Sequence, residues 1–62
     1  MKNNIKELRT KLKLSQKDLA NMCKVSRQTI NAIENDKYSP SLELAFDLAK
    51  VLNTSVDELF IP

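Results

Sequence analysis

Leu14-Ser15-Gln16-Lys17-Asp18-Leu19-Ala20-Asn21-Met22-Cys23-Lys24-Val25-Ser26-Arg27-Gln28-Thr29-Ile30-Asn31-Ala32-Ile33-Glu34-Asn35 reads as two short amphipathic helices joined by a tight turn. Ser15 and Ser26 each stand just before a helical pattern, where a hydroxyl can accept from a free backbone N–H. Leu14 and Leu19 flank Ser15 at the spacing of a hydrophobic staple, and Val25 and Ile30 repeat that arrangement around Ser26. The spacing predicts helices over 16–23 and 27–35. Ala20 is small enough for the two helices to cross closely, and Val25 plugs the turn. Ile30 and Ile33 share one face and belong to the core. That leaves Arg27, Gln28, Asn31 and Ala32 pointing outward.

An outward face of Arg, Gln and Asn suits the major groove of double-stranded DNA. Arginine forks onto guanine O6 and N7, and an amide side chain pairs with adenine N6 and N7. Ala32 and the methyl of Thr29 suit a thymine methyl. The first turn of such a helix is the part that reaches base edges.

Outward from this segment, Ser41 and Ser55 repeat the capping signal. Ser55 and Glu58 have capping-box spacing, and Ser15 with Asp18 is a weaker version of it. Further helices are predicted over 4–12, 42–52 and 56–60. The core is expected from Ile5, Leu8 and Leu12, then Leu19, Ala20 and Cys23, then Ile30 and Ile33. Leu42, Ala45, Leu48, Ala49 and Leu52 form a broad face of the fourth helix, and Leu59 closes one end with Val56 or Phe60. Short connections and the absence of any glycine favour one all-α domain over residues 1–62, with a helix-turn-helix made by the second and third helices. Leu44 and Val51 are read as lying opposite the core face of the fourth helix. With Phe60 and Ile61 they form a candidate homodimer patch, against the plainer reading of scattered surface hydrophobes.

Composition narrows the function classes. A chain of 62 residues buries too little surface to enclose a deep metabolite pocket. One cysteine, Cys23, and no histidine leave no intramolecular disulfide and almost no means of building a metal site or a histidine base. No cofactor, small-molecule effector or enzymatic activity is expected. No apolar run approaches a membrane span, and the first residues lack the apolar stretch of a signal peptide, so a cytoplasmic setting is expected. The net charge is only +2, but it is polarised. Residues 1–13 set Lys2, Lys6, Arg9, Lys11 and Lys13 against Glu7, whereas residues 39–62 set Lys50 against Glu43, Asp47, Asp57 and Glu58. One side is thereby suited to a polyanion. Lys37 and Lys17 are the lysines expected at phosphates, with Ser26 at the head of the reading helix.

Taken together, Arg9, L-S-Q-x-x-L-A, S-R-Q-T-I-N-A-I-E-N, S-P-S-L-x-x-A and S-V-D-E-L-F, in that order, resemble the phage repressor and Cro family of helix-turn-helix domains, the Xre family. The resemblance covers nearly the whole chain. It implies a compact five-helix lambda-repressor-like domain whose third helix enters the major groove. It further implies that Gln16 bonds a phosphate, that Arg27 and Gln28 touch bases, and that Asn35 with Lys37, Tyr38 and Ser39 touches phosphates. Arg9 and Glu34 are implied to pair internally. The partner is then DNA, with a palindromic operator and a weak or DNA-dependent homodimer as the expected form. A second reading is a partner-binding antitoxin or anti-repressor module on the same fold. Two positions depart from the family pattern: Lys24 and Asp36 stand where glycine is common. A left-handed backbone at either costs roughly 1 kcal/mol or more, less for Asp than for Lys.

Overall fold

The computed structural model describes residues 2–61. Serine hydroxyls start four of the five helices, as their positions in the sequence predict. Helix α2 (Gln16–Cys23) begins where Ser15 Oγ accepts from the Asp18 N–H at 2.9 Å. Helix α3 (Arg27–Glu34) begins where Ser26 Oγ accepts from Thr29 N–H at 3.1 Å. Ser41 caps α4 (Leu42–Val51) and Ser55 caps α5 (Val56–Leu59), each through the N–H three residues on. Helix α1 (Ile5–Lys11) differs: Asn4 makes no side-chain cap, and Asn3 Oδ1 accepts the Ile5 N–H at 3.1 Å instead.

The two capping-box candidates exchange ranks. Ser15 and Asp18 form the reciprocal box, with Asp18 Oδ2 accepting from Ser15 N–H at 3.0 Å. Glu58 instead takes a hydrogen bond from the Ser55 hydroxyl at 3.1 Å. The shorter Asp side chain reaches the cap backbone here, and the longer Glu folds onto the hydroxyl.

The first four helices end in one way. After each, a residue in the left-handed region turns the chain: Lys13 (φ 59°), Lys24 (φ 59°), Asp36 (φ 59°) and Asn53 (φ 57°). The next N–H reaches back five residues in every case: Leu14 to Arg9 O, Val25 to Ala20 O, Lys37 to Ala32 O and Thr54 to Ala49 O, at 2.9–3.0 Å. These are Schellman closures, which satisfy the last carbonyls of a helix and bend the chain sharply. Glycine is the usual occupant of the left-handed position. The side chains at these four turns carry its steric cost, lowest for Asn and Asp.

The predominantly helical fold has one non-helical addition. Strands β1 (Lys2–Asn3) and β2 (Phe60–Ile61) pair antiparallel, with Lys2 opposite Ile61 and Asn3 opposite Phe60. Asn4 extends the tie through its N–H to Leu59 O at 2.9 Å. A strand of two residues is too short to leave an alternating pattern in the sequence.

The core centres on Ile5, Leu19, Ile30, Ile33, Leu48 and Leu59, all fully buried. Ala20, Cys23, Ala45, Ala49 and Leu52 fill the gaps between them, and Leu8, Val25 and Val56 pack around the edge. Three expectations are corrected, those for Leu12, Leu42 and Leu44, and of the two readings of Phe60 the core position is the one found. Leu12 and Leu42 are exposed, whereas Leu44 and Phe60 are buried. The buried stripe of α4 runs through Leu44, Ala45, Leu48, Ala49 and Leu52, so its centre lies at Leu48 and Leu52, rotated away from Leu42. Leu44 thus belongs to the core and Val51 packs against it, rather than lying opposite. Phe60 is drawn inward by the β1–β2 pairing. Leu12 falls at the end of α1, past the turn that faces the core.

Two outcomes follow for stability. Lys13→Gly relieves the left-handed strain and is expected to raise stability by about 1 kcal/mol, or roughly 4–8 °C in Tm for a domain of this size, by thermal unfolding. Asn53→Gly is expected to give less. The second outcome concerns acid. The backbone N–H and hydroxyl of Ser15 hold the Asp18 carboxyl below its ordinary value of 3.8. Its stabilising contribution is therefore complete above that value and lost as pH falls through the lower folded one. Unfolding measured between pH 5 and pH 2 is expected to depend less steeply on pH in Asp18→Asn than in the parent.

Candidate nucleic-acid interface

Helix α3 is divided between packing and presentation. Ile30 and Ile33 are at most 1% exposed and fix one face to the core. At 100° per residue, Gln28, Asn31, Ala32 and Asn35 lie on the opposite face. Gln28, Asn31 and Asn35 are exposed and Ala32 is half-buried. Arg27 is exposed too, but its position is about a quarter turn round, on the flank shared with Glu34. The presented surface is thus an amide-rich face with an arginine at its leading edge. It carries no carboxylate.

Thr29 belongs to a different surface. It is half-buried and lines a cleft with Val25, Tyr38, Leu44 and Asp47, and its hydroxyl shares a 2.9 Å hydrogen bond with Ser26 Oγ. The structure therefore separates Thr29 from the other four residues read as base contacts. Asn31 and Asn35 are coupled: Asn35 Nδ2 donates to Asn31 O at 2.9 Å and to Asn31 Oδ1 at 3.2 Å. That bond fixes the Asn31 amide with its nitrogen left to donate.

The residues read as phosphate contacts flank this helix. Ser26 stands at its N-terminus, and Lys37, Tyr38 and Ser39 occupy the connection from α3 to α4; all four are exposed. Lys17 is exposed on the first turn of α2, beside half-buried Gln16. Lys24 holds the left-handed position in the turn between α2 and α3, its side chain exposed. The sequence-based glycine argument thus applies to Lys24 and Asp36 alike, and Lys13 and Asn53 hold two further left-handed positions.

Arg9 locks the interface from behind. Its Nε donates to Glu34 Oε2 at 2.7 Å and its Nη2 to Glu34 Oε1 at 3.2 Å, while Nη1 donates to Leu14 O at 2.9 Å. The two side chains are 13% and 4% exposed. One guanidinium thereby ties α1, the α1–α2 turn and the end of α3. Two links at this end are absent from the sequence reading. Asn3 Nδ2 donates to Ile33 O at 2.9 Å, holding the end of α3 to β1. Gln16 Nε2 donates to Glu34 Oε1 at 3.1 Å. Partners 30 and 18 residues apart leave no local pattern to read.

The dimer patch expected from Leu44, Val51, Phe60 and Ile61 does not form as such. Only Ile61 is exposed; Leu44 and Phe60 are buried and Val51 is half-buried. Exposed large apolar side chains include Leu42 (70%) and Phe46 (57%), one turn apart on α4, besides Leu12, Met22, Tyr38 and Ile61. Leu42 borders a groove with Ser39, Pro40, Ala45, Val56 and Phe60. Burial raises the pKa of the Cys23 thiol, which suits a core residue and not a nucleophile. No helix among the described residues is long and apolar enough to cross a membrane.

A helix-turn-helix family model matches residues 5–59, from the start of α1 to the end of α5. An uncharacterised helix-turn-helix-type transcriptional regulator of Methanocaldococcus jannaschii is 51% identical over 61 residues, covering 98% of this chain and 92% of that protein. A similarly described regulator of Archaeoglobus fulgidus is 43% identical over 61 residues, covering 98% and 86%. Among solved structures, the restriction-modification controller protein C.AhdI of Aeromonas hydrophila superposes with a TM-score of 0.82 at 34% identity, over 90% of this chain and 85% of that one. With α2 and α3 supplying the helix-turn-helix and the other helices packed behind it, the chain belongs to the Xre family of helix-turn-helix DNA-binding transcriptional regulators, the phage repressor and Cro type.

Proposed function

We propose that the protein is a sequence-specific regulator that places α3 in the major groove of double-stranded DNA in the cytoplasm. The observation that carries this reading is the outward face of α3: exposed Gln28, Asn31 and Asn35, half-buried Ala32 and the leading Arg27, held rigid by buried Ile30 and Ile33. Arg27 and Gln28 are the principal readers because the first turn of a recognition helix goes deepest. Asn31 donates through its free amide nitrogen, and Ala32 offers a methyl to thymine. Thr29, facing the cleft, acts less as a reader than as a brace for Ser26. Gln16, Lys17, Ser26, Asn35, Lys37, Tyr38 and Ser39 hold phosphates on either side. These contacts set affinity and register, while the bases set sequence. Regulation follows from occupancy of the operator.

The operator is read as palindromic and occupied by two copies, with half-sites about 34–36 Å apart. Leu42 and Phe46 are the surface for the second copy. The groove bordered by Leu42 reaches Ser39, so a copy docked there stands beside the phosphate-binding connection.

Selection of bound sequences from random DNA at two salt concentrations tests the reading. A palindromic motif whose recovery falls steeply with salt supports it. No enrichment, together with a stoichiometric protein partner in pull-downs, favours the antitoxin or anti-repressor module instead. On the selected site, Arg27→Ala or Gln28→Ala is expected to cost about 1–3 kcal/mol and relax preference at one base position, by quantitative gel shift. Lys37→Ala is expected to weaken all sequences alike and lower the salt slope by about 1. Phe46→Lys is expected to weaken binding to the full palindrome while leaving a single half-site unchanged.

A further inference from the structure

We infer that Glu34 is a positioning residue for DNA binding: its carboxylate sets the Gln16 amide in place before the phosphate arrives. This rests on the proposed role of Gln16 as a phosphate contact.

Gln16 is the first residue of α2, and Glu34 is the last residue of α3. Glu34 Oε1 accepts from Gln16 Nε2 at 3.1 Å and from Arg9 Nη2 at 3.2 Å. Glu34 Oε2 accepts from Arg9 Nε at 2.7 Å. The Glu34 side chain is 4% exposed, so it has little freedom of its own. It is a fixed post, and Gln16 is tied to it.

An amide nitrogen carries two hydrogens. Glu34 takes one, which fixes the plane and direction of the Gln16 side chain and leaves the second hydrogen to donate. The backbone around it is open to the same use. Ser15 fills only the Asp18 N–H, so the N–H groups of Gln16 and Lys17 have no intrahelical acceptor at the start of α2. A phosphate oxygen there meets two backbone donors and an oriented amide together.

The arrangement also settles an electrostatic conflict. A bare carboxylate next to the phosphate path would repel it. Arg9 meets Glu34 with two hydrogen bonds, so the carboxylate can orient Gln16 without presenting an uncompensated charge.

The benefit is entropic. A free glutamine loses its rotamer freedom at the moment of binding, which costs roughly a factor of ten to thirty in affinity. Here that cost is met during folding. The gain is independent of base sequence, because it acts through a phosphate.

Glu34→Asp is the variant that isolates this role. It keeps the charge for Arg9, whose long side chain can follow, but withdraws the oxygen from Gln16 by one methylene. Dissociation constants are measured for the parent, Gln16→Ala, Glu34→Asp and the double variant, on a selected site and on nonspecific duplex. The expected result is a loss of about three- to tenfold in Glu34→Asp on both DNAs, with base preference unchanged. In the Gln16→Ala background, Glu34→Asp then has no further effect. Additive losses overturn the positioning role while the phosphate role of Gln16 stands. No loss in Gln16→Ala alone removes the phosphate role, and the positioning role with it. Should Glu34→Asp fail to fold, side-chain amide relaxation in the free parent protein decides the matter. A Gln16 amide as ordered as the α2 backbone supports the inference, and one as mobile as the exposed Gln28 amide refutes it.

Discussion

The pairing of Arg9 with Glu34 is the interaction on which the rest of the domain depends. Both side chains are largely withdrawn from water, and the pair spans the molecule from α1 to the end of α3, with a third donor to Leu14 O. A buried pair of this kind adds little net stability over an apolar substitute, because desolvation offsets most of the attraction. Breaking it by removing one partner costs about 3–5 kcal/mol. A 62-residue domain is stabilised by only roughly 3–9 kcal/mol in total, so one unpaired charge at this point takes away much or all of it. The pair thus ties the end of α3 to α1 and to the α1–α2 turn.

The turns impose the same precision at smaller scale. With no glycine, the chain reverses four times through left-handed Lys, Lys, Asp and Asn, and each reversal closes with the same five-residue hydrogen bond. Serine then starts the next helix within a few residues. These paired stop and start devices leave little slack between elements. In the α2–α3 connection they determine how far the reading face projects, since Lys24 closes α2 and Ser26 opens α3 with only Val25 between them. Strain at Lys24 is tolerated because the burial of Val25 and Ile30 around it holds the turn shut.

Helix boundaries, caps and most of the core were legible in the sequence because they follow from local chemistry. A serine before a helical pattern, a staple pair or an apolar residue every three or four positions acts over one or two turns. The α2 range is predicted to the residue, and the others within one or two. On α4 the sequence places Ala45, Leu48, Ala49 and Leu52 correctly but not the edge of the buried face, for a related reason. Leu42, Leu44, Leu48, Val51 and Leu52 surround that helix on several sides, so periodicity alone leaves the centre of the buried stripe open. Only the tertiary packing buries Leu44 and leaves Leu42 and Phe46 exposed.

Local sequence chemistry is enough for a small helical domain with a helix-turn-helix, and for Arg27, Gln28, Asn31 and Ala32 to fall outside its apolar stripe, because helical periodicity and capping are written into neighbouring residues. Which elements meet depends on the packing of the whole chain. It paired Lys2 and Asn3 with Phe60 and Ile61, set Asn3 on the Ile33 carbonyl near the end of α3, turned Thr29 toward the cleft and brought Gln16 to Glu34. The strand pairing, the Asn3 bond and the Gln16–Glu34 bond join residues 18 to about 60 positions apart, and nothing in the local chemistry of either partner announces the other. They exist because packing five short helices around one core leaves few ways to satisfy every buried polar group.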